Sequence, residues 1–272
     1  MAVEKQNKIT IRTFLRKKQK GEKIVVLTAY DYYTARILET AGVDSLLVGD
    51  SLNMVLYGKP NTLSAEIDKM LFHTRAVADA AQRTLVIADM PFMSYQPSIE
   101  TAVINAGRFV KEGGAEAVKI EGGIEMIPTI KRLIEIGIPV MGHLGMTPQS
   151  LHRFGGARVQ GRTDPERNYA LESAQALDET GCFSCVLELM PAPLADDITK
   201  RVRMATIGIG AGPKCDGQVL VINDIIGMYP QLEARFVRRY VDVAAEIEKA
   251  ARQFADDVRS GNYPSDEESF QE

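Results

Sequence analysis

Six polar residues, Asp31, Asp50, Asp89, Glu121, His143 and Glu188, each stand at or just past the end of a short apolar run. Five carboxylates and an imidazole at equivalent places are the residue types that bind cations and move protons. Asp50, Asp89 and Glu121 would make an oxygen-rich anionic cluster with no cysteine and no paired-histidine spacing, which favours a hard cation such as Mg²⁺, or another divalent ion, over a structural zinc. The histidines are too scattered for a zinc-protease motif: His73 falls in a predicted helix, His152 in a loop, and only His143 at a strand end. A cation held by one or two carboxylates keeps open positions, which a 2-oxo acid fills through its carboxylate and keto oxygens. The polarised ketone then has a more acidic neighbouring C–H, and a nearby carboxylate can take that proton.

Glu188 is the candidate base, because residues 185–191 are apolar on both sides of it and predict a carboxylate shielded from water. Lys119 sits inside the apolar run 117–120 and must either point into the site or snorkel. Pointing inward, it would bind a substrate carboxylate or neutralise the acidic shell; a salt-bridged structural lysine is the plainer reading. A single acidic residue at a strand end is better explained as a helix N-cap or a loop solubiliser. What argues for chemistry is the repetition, because in a (β/α)8 barrel the carboxyl ends of all strands share one rim.

Eight runs supply such a barrel: 24–29, 45–49, 84–88, 117–120, 139–142, 185–187, 205–209 and one within 218–227. Their Val, Ile and Leu content suits parallel strands covered on both faces. Between them, residues 65–81, 98–111, 124–136 and 165–180 carry apolar residues at helical spacing. Little room is left for a helix in the seventh unit, so the register of the last two units is the loosest part of the count. Residues 11–20 predict an extra helix plugging the barrel floor. Residues 235–258 predict a long amphipathic helix, with Phe236, Tyr240, Val243, Ile247, Ala250, Phe254 and Val258 as a stripe able to dock on the barrel or on a neighbouring subunit. The fold class is thus α/β, a single (β/α)8 barrel domain over 1–272 with a frayed acidic tail from about 262.

Composition narrows the partners. The chain has 272 residues, 45% of them hydrophobic, and no run near the roughly 18 apolar residues of a membrane span, so no membrane is expected. A net charge of -4 argues against nucleic acid. Lys5, Lys8, Arg12, Arg16, Lys17, Lys18 and Lys20 lack an apolar core or cleavage-like site; they read as a solvated basic helix face rather than a targeting signal, and the expected location is cytoplasmic. Three cysteines cannot build a disulfide framework, and Cys182 and Cys185 read as buried structural thiols. The GIGAG segment at 208–212 reads as a backbone nest or a close loop. Residues 146–163, with Gly155, Gly156 and Gly161 among Arg153, Arg158 and Arg162, are long for a βα loop and read as a lid, a wall for a large anionic cosubstrate, or a plain surface loop.

The motifs LTAYDY at 27–32, VGDSL at 48–52, ADMPF at 88–92, VKIEGG at 118–123, GHLGMTPQS at 142–150, LELMP at 187–191, and GIGAG followed by CDGQVLV at 215–221 resemble those of the ketopantoate (3-methyl-2-oxobutanoate) hydroxymethyltransferase family. The resemblance runs over about 27–270 with the motifs in order. It implies that Asp50 and Asp89 hold Mg²⁺ with Glu121 in or near its shell, that Asp50, Ser51, Asp89 and Lys119 contact the 2-oxo acid, and that Glu188 is the proton acceptor, with His143 in support. It also implies enolisation of 3-methyl-2-oxobutanoate, attack on the one-carbon unit of 5,10-methylenetetrahydrofolate, formation of 2-dehydropantoate at the start of pantothenate biosynthesis, and a homodecamer of five dimers. Two departures stand out. Asn53 replaces a glycine frequent in relatives and would touch the pocket edge, and 201–204 is less apolar than usual before the seventh strand. Rival readings are another metal-dependent 2-oxo acid lyase or mutase on the same barrel, a Schiff-base aldolase using Lys119, and a barrel retained for binding alone.

Overall fold

Eight parallel strands close into a barrel in sequence order: β1 Ile24–Thr28, β2 Ser45–Val48, β3 Leu85–Asp89, β4 Ala117–Glu121, β5 Val140–Gly145, β6 Ser184–Glu188, β7 Ala205–Ile209 and β8 Gly217–Leu220. β1 pairs with β8, Ile24 opposite Gly217, to complete the ring. In this computed structural model residues 7–229 and 234–270 are described, and the chain divides into two units, Met1–Val221 and Ile222–Glu272. β2, β3 and β4 are buried at every position, as expected of apolar runs covered on both faces.

Around the strands of the first unit lie α1 Ile11–Lys20, α2 Tyr32–Thr40, α3 Leu52–Val55, α4 Ile67–Ala80, α5 Ile99–Lys111, α6 Ile127–Glu135, α7 Leu151–Phe154, α8 Asp164–Thr180 and α9 Ala192–Arg201. Side-chain caps set several starts. Ser98 accepts from the Thr101 amide to open α5, and Thr163 forms a capping box with Glu166 to open α8, with proline in its first turn. The seventh crossover has no helix; residues 210–216 alone join β7 to β8, and the Gln218 side chain donates to the Gly212 carbonyl, so the glycine-rich segment is a close loop.

The floor of the barrel is plugged by α1, as the sequence predicts. Phe14 is fully buried and meets Phe183 edge-on at 5.5 Å, packing with Ile24, Val26, Leu85, Ile87, Met141, Ala205 and Ile207 from the strands. The basic face of this segment is not simply solvated. Lys17 pairs with Asp44 at 2.6 Å, Lys18 with Asp216 at 2.8 Å and Lys8 with Glu116 at 2.7 Å, because the strand starts expose carboxylates where the plug docks. Lys5 lies outside the described residues.

The second unit contains α10 Ile222–Ile225 and α11 Val243–Ser260. The long helix therefore begins eight residues later than its apolar stripe predicts. Asp242 caps it by accepting from the Ala245 amide, while the Tyr240 and Val243 amides are taken by the Ile225 and Ile226 carbonyls, which holds Phe236 and Tyr240 outside the helix. Beyond it, residues 262–270 are exposed and include a 3-10 turn, Asp266–Glu268, closed by a Ser265 capping box.

Candidate active site

The strand ends deliver five of the six rim residues to one place. Asp89 and Glu121 end β3 and β4, Glu188 ends β6, and His143 stands within β5, two residues before its end; Asp50 follows β2. Asp31 does not join them. It is exposed and caps α2, accepting from the Thr34 amide at 2.8 Å and hydroxyl at 2.6 Å, the plainer alternative for an acidic strand end.

Contacts tie the rest together. Lys119 Nζ lies 2.7 Å from Asp89 Oδ1, 3.7 Å from Glu121 Oε1 and 3.3 Å from His143 Nδ1. His143 Nδ1 is 3.4 Å from Glu121 Oε1 and its Nε2 is 3.2 Å from Glu188 Oε2. The Asp50 amide donates to Asp89 Oδ2 at 3.2 Å. Lys119 thus points into the mouth rather than snorkelling. Asp50, Asp89, Lys119, Glu121 and His143 are all buried, whereas the Glu188 side chain keeps 17% of its exposure. The apolar enclosure expected of Glu188 is not what surrounds it; its carboxylate meets an imidazole and reaches solvent. Ser51, next to Asp50, shares a hydrogen bond with the Tyr30 hydroxyl at 2.8 Å.

Backbone detail aims Glu188. Gly145 has φ 94°, and a Cβ there would come within 2.1 Å of the Glu188 carbonyl, so β5 can pass this close only as glycine. Leu189 adopts φ 44°, a left-handed conformation costly for a leucine, held by its amide on the Ile209 carbonyl and its carbonyl on the Gln160 amide.

The electrostatics are those of a site short of positive charge. Burial pushes Asp50 well above the usual carboxylate range, with Asp89 and Glu121 adding to it. Burial also raises Asp89, with Glu121 adding to it, and the Lys119 ammonium only partly offsets them. Burial acts the same way on Glu121, but its bond with His143 and the Lys119 charge outweigh it and leave that carboxyl lowered. Burial and Lys119 would depress His143, yet Glu121 and Glu188 lift it to about 9. Lys119, against the pull of burial, is held above the ordinary lysine range by Asp89, Glu121 and Asp50. An ammonium so stabilised is a poor Schiff-base nucleophile.

Four carboxylates therefore face one ammonium and one imidazole. Asp89 Oδ1 and Glu121 Oε1 are buried without a hydrogen bond of good geometry, as is His143 Nε2. No three acidic, histidine or cysteine side chains among the described residues form a ready-made cation cage. Two carboxylates with spare oxygens and room for further ligands are nonetheless the donor set of Mg²⁺, which keeps much of its shell as water or substrate.

Sequence reasoning passed over Gln149 and Tyr95. Gln149 is buried and bonds Asp50, Met90, Tyr95, Gln96 and Glu121; the only sequence sign of it was its place in GHLGMTPQS. Asn53 is buried; its side-chain amide holds the Asn61 carbonyl and Ser64 hydroxyl, and its backbone amide donates to the Asp50 carbonyl. The departure before β7 is structural, since Asp178 accepts from the Arg203 and Met204 amides. His152 belongs to α7 rather than to an irregular loop, and His73 lies in α4 between the Tyr30 carbonyl and the Tyr57 hydroxyl. Cys182 and Cys185 are buried free thiols.

Beside the cluster opens a cavity of about 550 Å³ that reaches it through Glu121 and His143; Asp50, Asp89, Lys119 and Glu188 are not in its lining. Residues 147–161 form one wall with Arg153, Phe154 and Arg158, and Phe92, Tyr95 and Tyr169 contribute aromatic surface. The long loop is thus a wall, braced by a 3-10 turn and α7.

Comparison with known proteins agrees in sequence and in shape. The sequence profile of the family described as ketopantoate hydroxymethyltransferase matches residues 8–266. The 3-methyl-2-oxobutanoate hydroxymethyltransferase of Trichlorobacter lovleyi is 53% identical, covering 97% of this chain and 99% of that protein. That of Syntrophus aciditrophicus is 50% identical, covering 98% of both. Among solved structures, a phosphonopyruvate hydrolase in complex with oxalate and Mg²⁺ superimposes with TM-score 0.61 at 14% identity, covering 95% of this chain and 92% of that one. An oxaloacetate acetylhydrolase gives 0.61 at 13%, covering 93% and 88%. At such identities these two show a shared fold.

Proposed function

The chain belongs to the ketopantoate hydroxymethyltransferase family of transferases, and from that membership we propose that it moves a hydroxymethyl group from 5,10-methylenetetrahydrofolate to 3-methyl-2-oxobutanoate, giving 2-dehydropantoate for pantothenate biosynthesis. The observation that carries the chemistry is the mouth's shortage of positive charge, four carboxylates facing only the Lys119 ammonium and the His143 imidazole. Asp50 and Asp89 would hold a divalent cation, Mg²⁺ by the hardness of its oxygen donors, with Glu121 in or near its shell. When bound, the cation supplies Lewis-acid polarisation of the substrate ketone and charge balance for the enolate.

The chain's own residues do the rest. Asp50 and Asp89, with Ser51 at the pocket edge, orient the 2-oxo acid, and Lys119 sets an ammonium against its carboxylate. Glu188 takes the proton from the third carbon, and His143, 3.2 Å from its Oε2, steadies the carboxylate and its acquired proton. The resulting nucleophilic carbon attacks the methylene carbon of the folate as one of its C–N bonds breaks; water then replaces the second nitrogen to leave the hydroxymethyl group, and tetrahydrofolate departs with its nitrogens protonated. The adjoining cavity suits that donor: its aromatic walls match a flat pterin and Arg153 and Arg158 match an anionic tail. Tyr33, Ile37 and Phe72, exposed apolar residues of α2 and α4, suit subunit contacts in a homo-oligomer, by family likeness a decamer. No described helix is long and apolar enough to cross a membrane, and the site of action we infer is the cytoplasm.

The test is exchange in heavy water. The hydrogen on the third carbon of 3-methyl-2-oxobutanoate should exchange in the presence of protein and Mg²⁺ without folate. Exchange that survives stringent chelation would remove the cation from the scheme.

A further inference from the structure

Every polar feature of the Gln149 carboxamide is used. Its Nε2 donates to Asp50 Oδ2 at 3.0 Å and to the Met90 carbonyl at 2.9 Å, while its Oε1 accepts from the Tyr95 hydroxyl at 2.8 Å and the Gln96 amide at 3.0 Å. Two donors and two lone pairs are the full capacity of the group. The orientation is therefore fixed, because a flipped amide would set its oxygen against the Asp50 carboxylate and the Met90 carbonyl. Its backbone amide also donates to Glu121 Oε2 at 2.9 Å. The Tyr95 hydroxyl in turn accepts from the Glu121 amide at 3.2 Å. One residue from the segment after β5 thus grips the tips of β2, β3 and β4 at once.

The oxygens it grips matter as much as those it leaves. Gln149 occupies Oδ2 of Asp50 and Oε2 of Glu121, whereas Glu121 Oε1 faces only the Lys119 ammonium at 3.7 Å and the His143 imidazole at 3.4 Å. We propose that Gln149 is a positioning residue for the cation site: it turns one oxygen each of Asp50 and Glu121 away from the cation and presents the other. This rests on the reading that Asp50 and Asp89 hold a divalent cation. Hydrogen-bond partners that orient ligands affect metal affinity nearly as directly as ligands do. The same side chain lines the adjoining cavity, so the wall of the cosubstrate space and the clamp on the carboxylates are one group.

The test is Mg²⁺ binding by calorimetry on the whole chain, with C3 hydrogen exchange followed as Mg²⁺ is raised. Gln149→Met keeps side-chain length and volume but deletes the amide. It should raise the Kd for Mg²⁺ about 10- to 100-fold and shift the Mg²⁺ requirement for exchange by the same factor, with most of the rate restored at saturating Mg²⁺. A merely structural role would lower the rate at every Mg²⁺ concentration, and that result, or an unchanged Kd in a folded variant, overturns the proposal. If Gln149→Met does not fold, Tyr95→Phe, which removes the hydroxyl holding Gln149 Oε1, should still raise the Kd several-fold; no rise overturns the proposal. Should the unmodified protein take up no Mg²⁺, the cation reading and this assignment fall together; if it binds Mg²⁺ and the folded variants bind it equally well, the assignment alone falls.

Discussion

Both ends of the barrel bury carboxylates, but they are treated in opposite ways. At the floor, Asp44 accepts two contacts from Lys17 at 2.6 and 2.7 Å and the Val25 amide at 2.9 Å, and Asp216 accepts Lys18 at 2.8 Å together with the Thr206 amide and hydroxyl. Each charge there has its own counter-charge and donors. At the mouth, four carboxylates face only Lys119 and His143 between them, and burial with neighbouring carboxylates raises Asp50 and Asp89. A buried charge that is fully matched contributes to a fixed structure; one left short of partners costs stability unless something else arrives to complete it. On the proposed function, the contrast separates carboxylates matched for folding from those held for a ligand.

The sharpest break between the two ends should come from Glu188→Gln. It removes a proton acceptor while preserving shape, and C3 hydrogen exchange should fall about 10³-fold with the melting temperature nearly unchanged. Exchange at the normal rate would disqualify Glu188 as the base. Next, Asp89→Ala should weaken Mg²⁺ binding by about 100-fold in calorimetry, and unchanged affinity would argue against Asp89 as a ligand.

The floor should answer in the reverse sense. Asp44→Ala strands the Lys17 ammonium and the Val25 amide and should cost about 2 kcal/mol, a drop of roughly 4–8 °C in a chain of this size, without altering the Mg²⁺ affinity of the folded protein. An affinity change as large as that of Asp89→Ala would erase the distinction between the ends. The smallest effect concerns pH. The folded state raises Asp50 and Asp89, so it binds their protons more tightly than the unfolded chain does, and metal-free stability declines as pH rises from the unfolded carboxylate range of about 4 through their elevated folded values. His143, lifted to about 9, adds stability present below about 6.5 and lost as pH climbs through 9. Both act in one direction, and a cation relieves the first. The rise in melting temperature produced by Mg²⁺ should therefore be a few degrees larger at pH 8 than at pH 5, measured by calorimetric scans; a larger rise at pH 5 would contradict the site's charge balance.

The strand count, the floor plug and most rim positions were legible in the sequence, because apolar runs buried on both faces leave a pattern that needs no knowledge of their neighbours. Helix ends were less legible where a cap competed with a stripe. Asp242 opens α11 although the apolar stripe extends back to Phe236, since one satisfied amide at a helix start outweighs periodicity on an exposed face. Asp31 and Asp50 look alike in sequence, each an acidic residue just past a strand, yet one caps α2 and the other enters the cluster.

What the sequence by itself determined was the set of eight strands, the carboxylates and histidine at their ends, and the motifs that mark the family. The tertiary structure decided which of those side chains share a space, that Lys119 pairs with Asp89, that Glu188 stays partly open beside His143, and that Gln149 binds three strand tips together. The reason is one of range. Burial and helical or strand periodicity are local and repeat along the chain, whereas ion pairing and hydrogen-bond saturation depend on distances between residues as far apart as Asp50 and Gln149, which only barrel closure sets.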